Sequence, residues 1–131
     1  MSPAEIIINI LENEGIGTYG GVNDWSLYYS KEPNQPNNVI TVYNAGSLLN
    51  PVLLFDGTRI NYYSVNIRVR GISTTLSWNK AEEINALLKN RDLSMYPGAV
   101  GLLKINGPQH IGFDDSNKSI HSMNYQLTKE D

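Results

Sequence analysis

The spacing of apolar positions changes along the chain, and the changes mark the elements. Near the amino terminus Ile7, Ile10 and Leu11 share one face at helical spacing. Ser2 is placed to cap that helix, Pro3 suits its first position, and Glu5 completes a Ser-x-x-Glu capping box. Met1 and Ile6 are spaced for a hydrophobic staple. Gly15 suits a left-handed cap, with Ile16 folding back on the last turn. A helix over Pro3 to Glu14 follows. The spacing then shortens to two. Tyr63, Val65, Ile67 and Val69 alternate with Tyr62, Ser64, Asn66, Arg68 and Arg70, which predicts a strand with one buried and one polar face, ended by Gly71. His121, Met123, Tyr125 and Leu127 alternate in the same way within a last strand, Ser119 to Thr128. Between them Trp78, Ala81, Ile84, Leu87 and Leu88 form a second helical stripe, and a helix from about Thr75 to Arg91 with Thr74 as its cap is expected.

The remaining segments read less regularly. Trp25–Ser30 and Val39–Tyr43 are rich in aromatic and β-branched residues and predict two strands. The proline- and asparagine-rich stretch Lys31–Asn38 is an exposed turn, which suggests an antiparallel hairpin with a long tip. Ala99–Ile105 is a short strand, Gly107-Pro108 a turn, His110–Phe113 a short extended piece, and Asp114–Lys118 a hairpin turn. Ser47–Thr58 is too apolar for an ordinary loop and too broken by Asn50, Pro51 and Gly57 for a helix. It is either an irregular segment folded over its own core or an arm that packs on a neighbour, with Leu48, Leu49, Leu53, Leu54 and Phe55 as contact residues. The predicted fold is a single α+β domain over residues 1–131, a mostly antiparallel sheet with two helices packed on one face.

Composition narrows the function. The length of 131 residues suits one domain, and 40% hydrophobic with 18% charged residues is globular. A net charge of −3 argues against a protein that neutralises DNA phosphates. With no cysteine there is no disulfide framework, thiolate zinc site or cysteine nucleophile. The first residues lack the basic start of a signal peptide. The uncharged stretch from Pro33 to Phe55 is interrupted by asparagine, glycine and proline too often to span a membrane. A cytosolic protein with no membrane anchor and no cofactor is expected.

The search for chemistry finds little. Glycines 17, 20 and 21 follow a helix and precede a strand, the reverse of a phosphate-binding loop. His110 and His121 lie in neighbouring extended segments within reach of Asp114 or Asp115, so a small hydrolase or metal-dependent enzyme is one reading. The turn chemistry of Asp114–Lys118 explains the acids without it. Arg68 and Arg70 share the polar face of one strand. Either they bind a carboxylate, a phosphate or a partner's acidic residue, or they solubilise the face and cover the second helix's glutamates. Eight tyrosines, several on predicted strands, suit both half-buried sheet positions and protein interfaces.

Several local strings carry a resemblance. They are Leu11–Thr18 closing the first helix, a proline-bearing turn before Asn38–Asn44, Val65–Gly71 running directly into an amphipathic helix, Gly112–Asp115, and Ser122–Leu127. In this order the chain resembles the small minor capsid proteins of siphophages of Gram-positive hosts, which are similar to tail terminator proteins. The segment Gly46–Arg59 departs from that pattern. The resemblance implies a structural virion protein of the neck and tail, assembled in the host cytoplasm. It implies a homohexameric ring on the head-proximal end of the tail tube, with the major tail tube protein and a head-completion or stopper protein as partners. It implies no catalytic residue, no cofactor and DNA only in passage. Another head–tail connector, a stopper or adaptor, is the nearest alternative.

Overall fold

A computed structural model describes residues 1–47, 52–53, 55–89 and 91–130. Helix α1 spans Pro3–Asn13. Its capping box is formed: the Ser2 hydroxyl accepts from the Glu5 amide and the Glu5 carboxylate accepts from the Ser2 amide, both at 3.2 Å. At the other end Gly15 takes a φ of 75°. The Ile16 amide donates to the Leu11 carbonyl at 2.9 Å and the Gly15 amide to Glu12 at 3.1 Å, a Schellman stop that satisfies two end carbonyls. The buried stripe is wider than the sequence reading, with Ala4, Ile6 and Ile8 joining Ile7, Ile10 and Leu11. Asn44 fixes the helix start to the sheet by accepting from the Ala4 amide at 2.9 Å.

The strands are β1 (Thr18–Tyr19), β2 (Ser26–Tyr29), β3 (Val39–Ser47), β4 (Val52–Leu53), β5 (Arg59–Gly71), β6 (Ala99–Phe113) and β7 (Ser119–Glu130), with helix α2 (Thr74–Leu88) between β5 and β6. They form one sheet in the order β1-β2-β3-β5-β7-β6, with β4 also paired to β5. The pairs among β3, β5, β6 and β7 are antiparallel. Both helices lie on the face that carries Ile40, Val42, Val65, Ile67, Val69, Met123, Tyr125 and Leu127, and together these residues make the core. The α+β class and the two-helices-on-one-face arrangement are therefore as the sequence indicates.

Three local expectations are corrected. The first concerns β2 and β3, which are parallel, with Ser26 opposite Val39 and Tyr29 opposite Val42. Residues 30–38 are thus a crossover that must return along the strands. They do so over the face opposite the helices, where Val39, Thr41, Arg70 and Ile120 are buried. Second, β3 continues through a register shift between Asn44 and Ser47, where Gly46 has a φ of 87°, and does not stop at Asn44. Third, Gly107-Pro108 does not end β6, because a register shift between Asn106 and Gln109 absorbs the extra residue and β6 runs on to Phe113.

Helix α2 also differs by one position in its cap and its buried stripe. Ser73 is the cap, its hydroxyl accepting from the Leu76 amide at 3.1 Å. The buried residues are Ser77, Ala81, Ile84 and Leu88, while Trp78 is 41% exposed on the flank. The cause is a close approach to β5: a Cβ on Gly71 would lie 3.0 Å from the Ser77 Cβ, so only small residues fit at that crossing.

Candidate functional site

The feature that the fold leaves without an internal purpose is β6. It is the last strand of the sheet, so one of its edges pairs with β7 and the other with no strand among the described residues. Its fifteen residues carry one charge, Lys104. Natural edge strands are usually short, charged or covered, whereas Val100, Leu103, Ile105, Ile111 and Phe113 are all about half exposed or more. Register shifts at Ala99/Gly101, Lys104/Asn106 and His110/Gly112 leave Val100, Ile105 and Ile111 as extra residues without a partner on β7. Three bulges thus hold three β-branched apolar side chains in solvent. That geometry interrupts the free ladder, so β6 favours side-chain docking over strand addition. The sequence signal was the apolar density of Ala99–Ile105, but the bulges depend on pairing with β7 and have no local signature.

Two histidines, which the sequence places in neighbouring extended segments, meet across the β6–β7 pairing. His110 pairs directly with His121, ring centroids 5.0 Å apart. His121 is 2% exposed and bonded through Nδ1 to the buried Ser77 hydroxyl, with Trp78 at 5.6 Å. Ser77 was not singled out in the sequence, where it reads as an unremarked helix position. Asp114 does not join them. Its Oδ1 accepts from the Ser116 and Lys118 amides at 3.0 and 2.8 Å, shaping the β6–β7 turn, and its Oδ2 faces Arg70 at 3.9 Å. Among the described residues no group of three or more His, Asp or Glu gathers as metal ligands. The Ser77–His121 pair is enclosed, so this corner holds the α2–β7 packing together.

Burial lowers the His121 pKa below its ordinary 6.5, and the neighbouring His110 lowers it further. The folded chain therefore takes up this proton less readily than the unfolded chain, and folding stability should fall as pH drops below about 6.5. Urea unfolding of the wild type at pH 7.5 and 5.2 should show that loss, and His121→Gln should remove most of it. An identical loss in both proteins would mean that other groups set the acid sensitivity.

Arg68 and Arg70, neighbours on one face, have different surroundings. Arg70 is 2% exposed and serves residues 33–37 of its own chain, as described below. Arg68 is half-buried beside Tyr43, and its Nε has no hydrogen-bond partner among the described residues. Burial, with the charge of Glu32, raises the Tyr43 pKa. The glutamates of α2 lie on the other side of the sheet from both arginines. Of the apolar arm, Leu48, Leu49 and Leu54 lie outside the described residues. The backbone of Leu53 belongs to β4, and Phe55 is fully exposed. No described helix is long and apolar enough to cross a membrane.

Comparison with known proteins gives this edge strand a context. No curated protein matches the chain. Residues 10–131 match the family model described as bacteriophage tail terminator protein, a match that takes in every strand of the sheet, α2 and the end of α1. The chain accordingly belongs to the bacteriophage tail terminator family and is a structural component of the virion.

Proposed function

We propose that copies of the chain close into a ring, of six subunits, on the head-proximal end of the tail tube. The ring stops tube polymerisation and offers its other side to a head-completion protein. The observation that carries this reading is the long, charge-poor edge strand β6 with its row of exposed apolar residues, in a chain of the terminator family. Exposed apolar surface of that extent marks an assembly contact. The fully exposed Phe55 supports a partner contact for the Leu48–Phe55 arm. The net charge of −3 on each copy opposes retention of DNA phosphate during passage.

Purified chain mixed with the tail tube protein of the same phage tests the reading by negative-stain microscopy. Rings at one end of tubes, and tubes whose growth stops, are the expected result. Tubes that elongate equally with and without the chain, with bare ends, would sink it.

A further inference from the structure

The sheet order places β1 at one edge and β6 at the other, each beside its own helix. The two flanks carry opposite charge. Beside β6, a cleft against the end of α2 is lined by Leu88, Lys89, Leu102, Leu103, Lys104 and Tyr125. Both lysines are exposed, and neither belongs to an ion pair among the described residues. Glu82 lies two turns up the same helix. Beside β1, a groove along α1 is lined by Met1, Glu5, Ile8, Asn9, Glu12 and Tyr19. Both charges on α1 are acidic, and both are exposed without a cation partner among the described residues. Each flank therefore presents apolar side chains, Leu102 and Leu103 on one and Met1 and Tyr19 on the other, bordered by two like charges. Neither pair forms an ion pair within its own flank among the described residues, although Glu82 lies near enough to act on Tyr125 of the cleft and Glu12 accepts from the Tyr19 amide at 2.8 Å.

We infer that the β6–α2 flank of one copy docks on the α1–β1 flank of the next, with Lys89 and Lys104 facing Glu5 and Glu12 and Leu103 against Tyr19. This rests on the ring reading above and names its contact. The occupant is a second copy because the complementary charges lie on opposite edges of one molecule. Such a contact is heterologous and repeats head to tail, as ring closure requires. A symmetric dimer through either flank would set like charges against each other. The bulges of β6 make the contact one of side chains, without a continuous ladder across the subunits.

Charge reversal on the full chain, assembled with its tail tube protein, is the test. Lys89→Glu with Lys104→Glu leaves both flanks acidic, and Glu5→Lys with Glu12→Lys leaves both basic. Each double variant should self-associate at least about tenfold more weakly than wild type. An equimolar mixture of the two should recover rings, because acidic and basic subunits can alternate around an even-numbered ring. A second measurement covers loss of folding in the α1 variant, since Glu5 also belongs to the capping box and Glu12 accepts from the Tyr19 amide at 2.8 Å. The chain has no cysteine, so Leu103→Cys with Tyr19→Cys should give an oxidant-dependent ladder of linked subunits, and either single change should give none. Wild-type rings together with undiminished rings from both charge variants, or a cysteine pair that never links, would overturn this contact and leave the ring reading standing. A wild type that neither forms rings nor binds tube ends would overturn both.

Discussion

Replacing Arg70 by alanine should cost about 3–5 kcal/mol of folding stability. The reason is the crossover between β2 and β3. In the crossover the carbonyls of Pro33, Asn34, Pro36 and Asn37 turn toward the sheet and have no strand to pair with. Arg70 supplies the missing donors. Its guanidinium donates to the carbonyls of Pro33 at 2.6 Å, Pro36 at 2.7 Å, and Asn34 and Asn37 at 3.3 Å. Glu32 at 3.7 Å and Asp114 at 3.9 Å balance its charge. Removal takes the donor from the Pro33, Pro36 and Asn37 carbonyls and the counter-charge from two carboxylates at once, while Asn34 keeps Lys118 at 3.4 Å; the Glu32 Oε1 is already buried without a partner among the described residues. Arg70→Lys keeps the charge and lacks the planar fork, so it should recover only part of the loss. Urea unfolding measures both. Near-wild-type stability for Arg70→Ala would mean that the crossover is held by Asn38, which is bonded to Asp24 and to the Ile72 amide.

That arginine also shows where sequence reading stops. Its place on a polar strand face follows from alternation alone, and so does its separation from the core. Its burial does not, because what covers it is a loop whose path depends on parallel pairing between two strands. The features that were legible are local ones. The capping box and glycine stop of α1 depend on residues within one turn of each other, and β5 and β7 announce a half-buried face through strict alternation. The misread features are all non-local. A β2–loop–β3 sequence looks the same whether the strands run parallel or antiparallel. The stripe of α2 is rotated by the Gly71–Ser77 crossing, which swaps Trp78 for Ser77 at the sheet. The β6 surface is the same kind of case: its apolar residues were visible, but their exposure is set by bulges against β7.

Gly107 sits in the register shift between Asn106 and Gln109, where the β6–β7 pairing depends most on a single residue. Placing alanine there should cost about 3 kcal/mol or more and should unpair the far half of β6. The backbone has a φ of 91°, a conformation that costs a residue with a Cβ roughly 1–2 kcal/mol. A Cβ would also lie 2.5 Å from the Ser122 carbonyl oxygen and 2.9 Å from the Met123 Cα. Those are backbone atoms of the paired strand and cannot turn aside, so β6 must lift from β7 between Asn106 and Gln109. Gly101→Ala supplies the control, since nothing lies within 4 Å of its Cβ position and its φ is not positive; it should change stability by less than about 1 kcal/mol. Hydrogen exchange should localise the difference. Amides from Gln109 to Phe113 should lose protection in the Gly107 variant, while those near Leu102 and Leu127, on the near side of the bulge, should keep theirs. Uniform loss along β6 would show instead that the strand opens as one unit. Localised loss leaves the Leu103–Lys104 surface in place, so a Gly107→Ala chain that still forms rings would separate the strand's two halves by function: one for the contact, one for closing the fold.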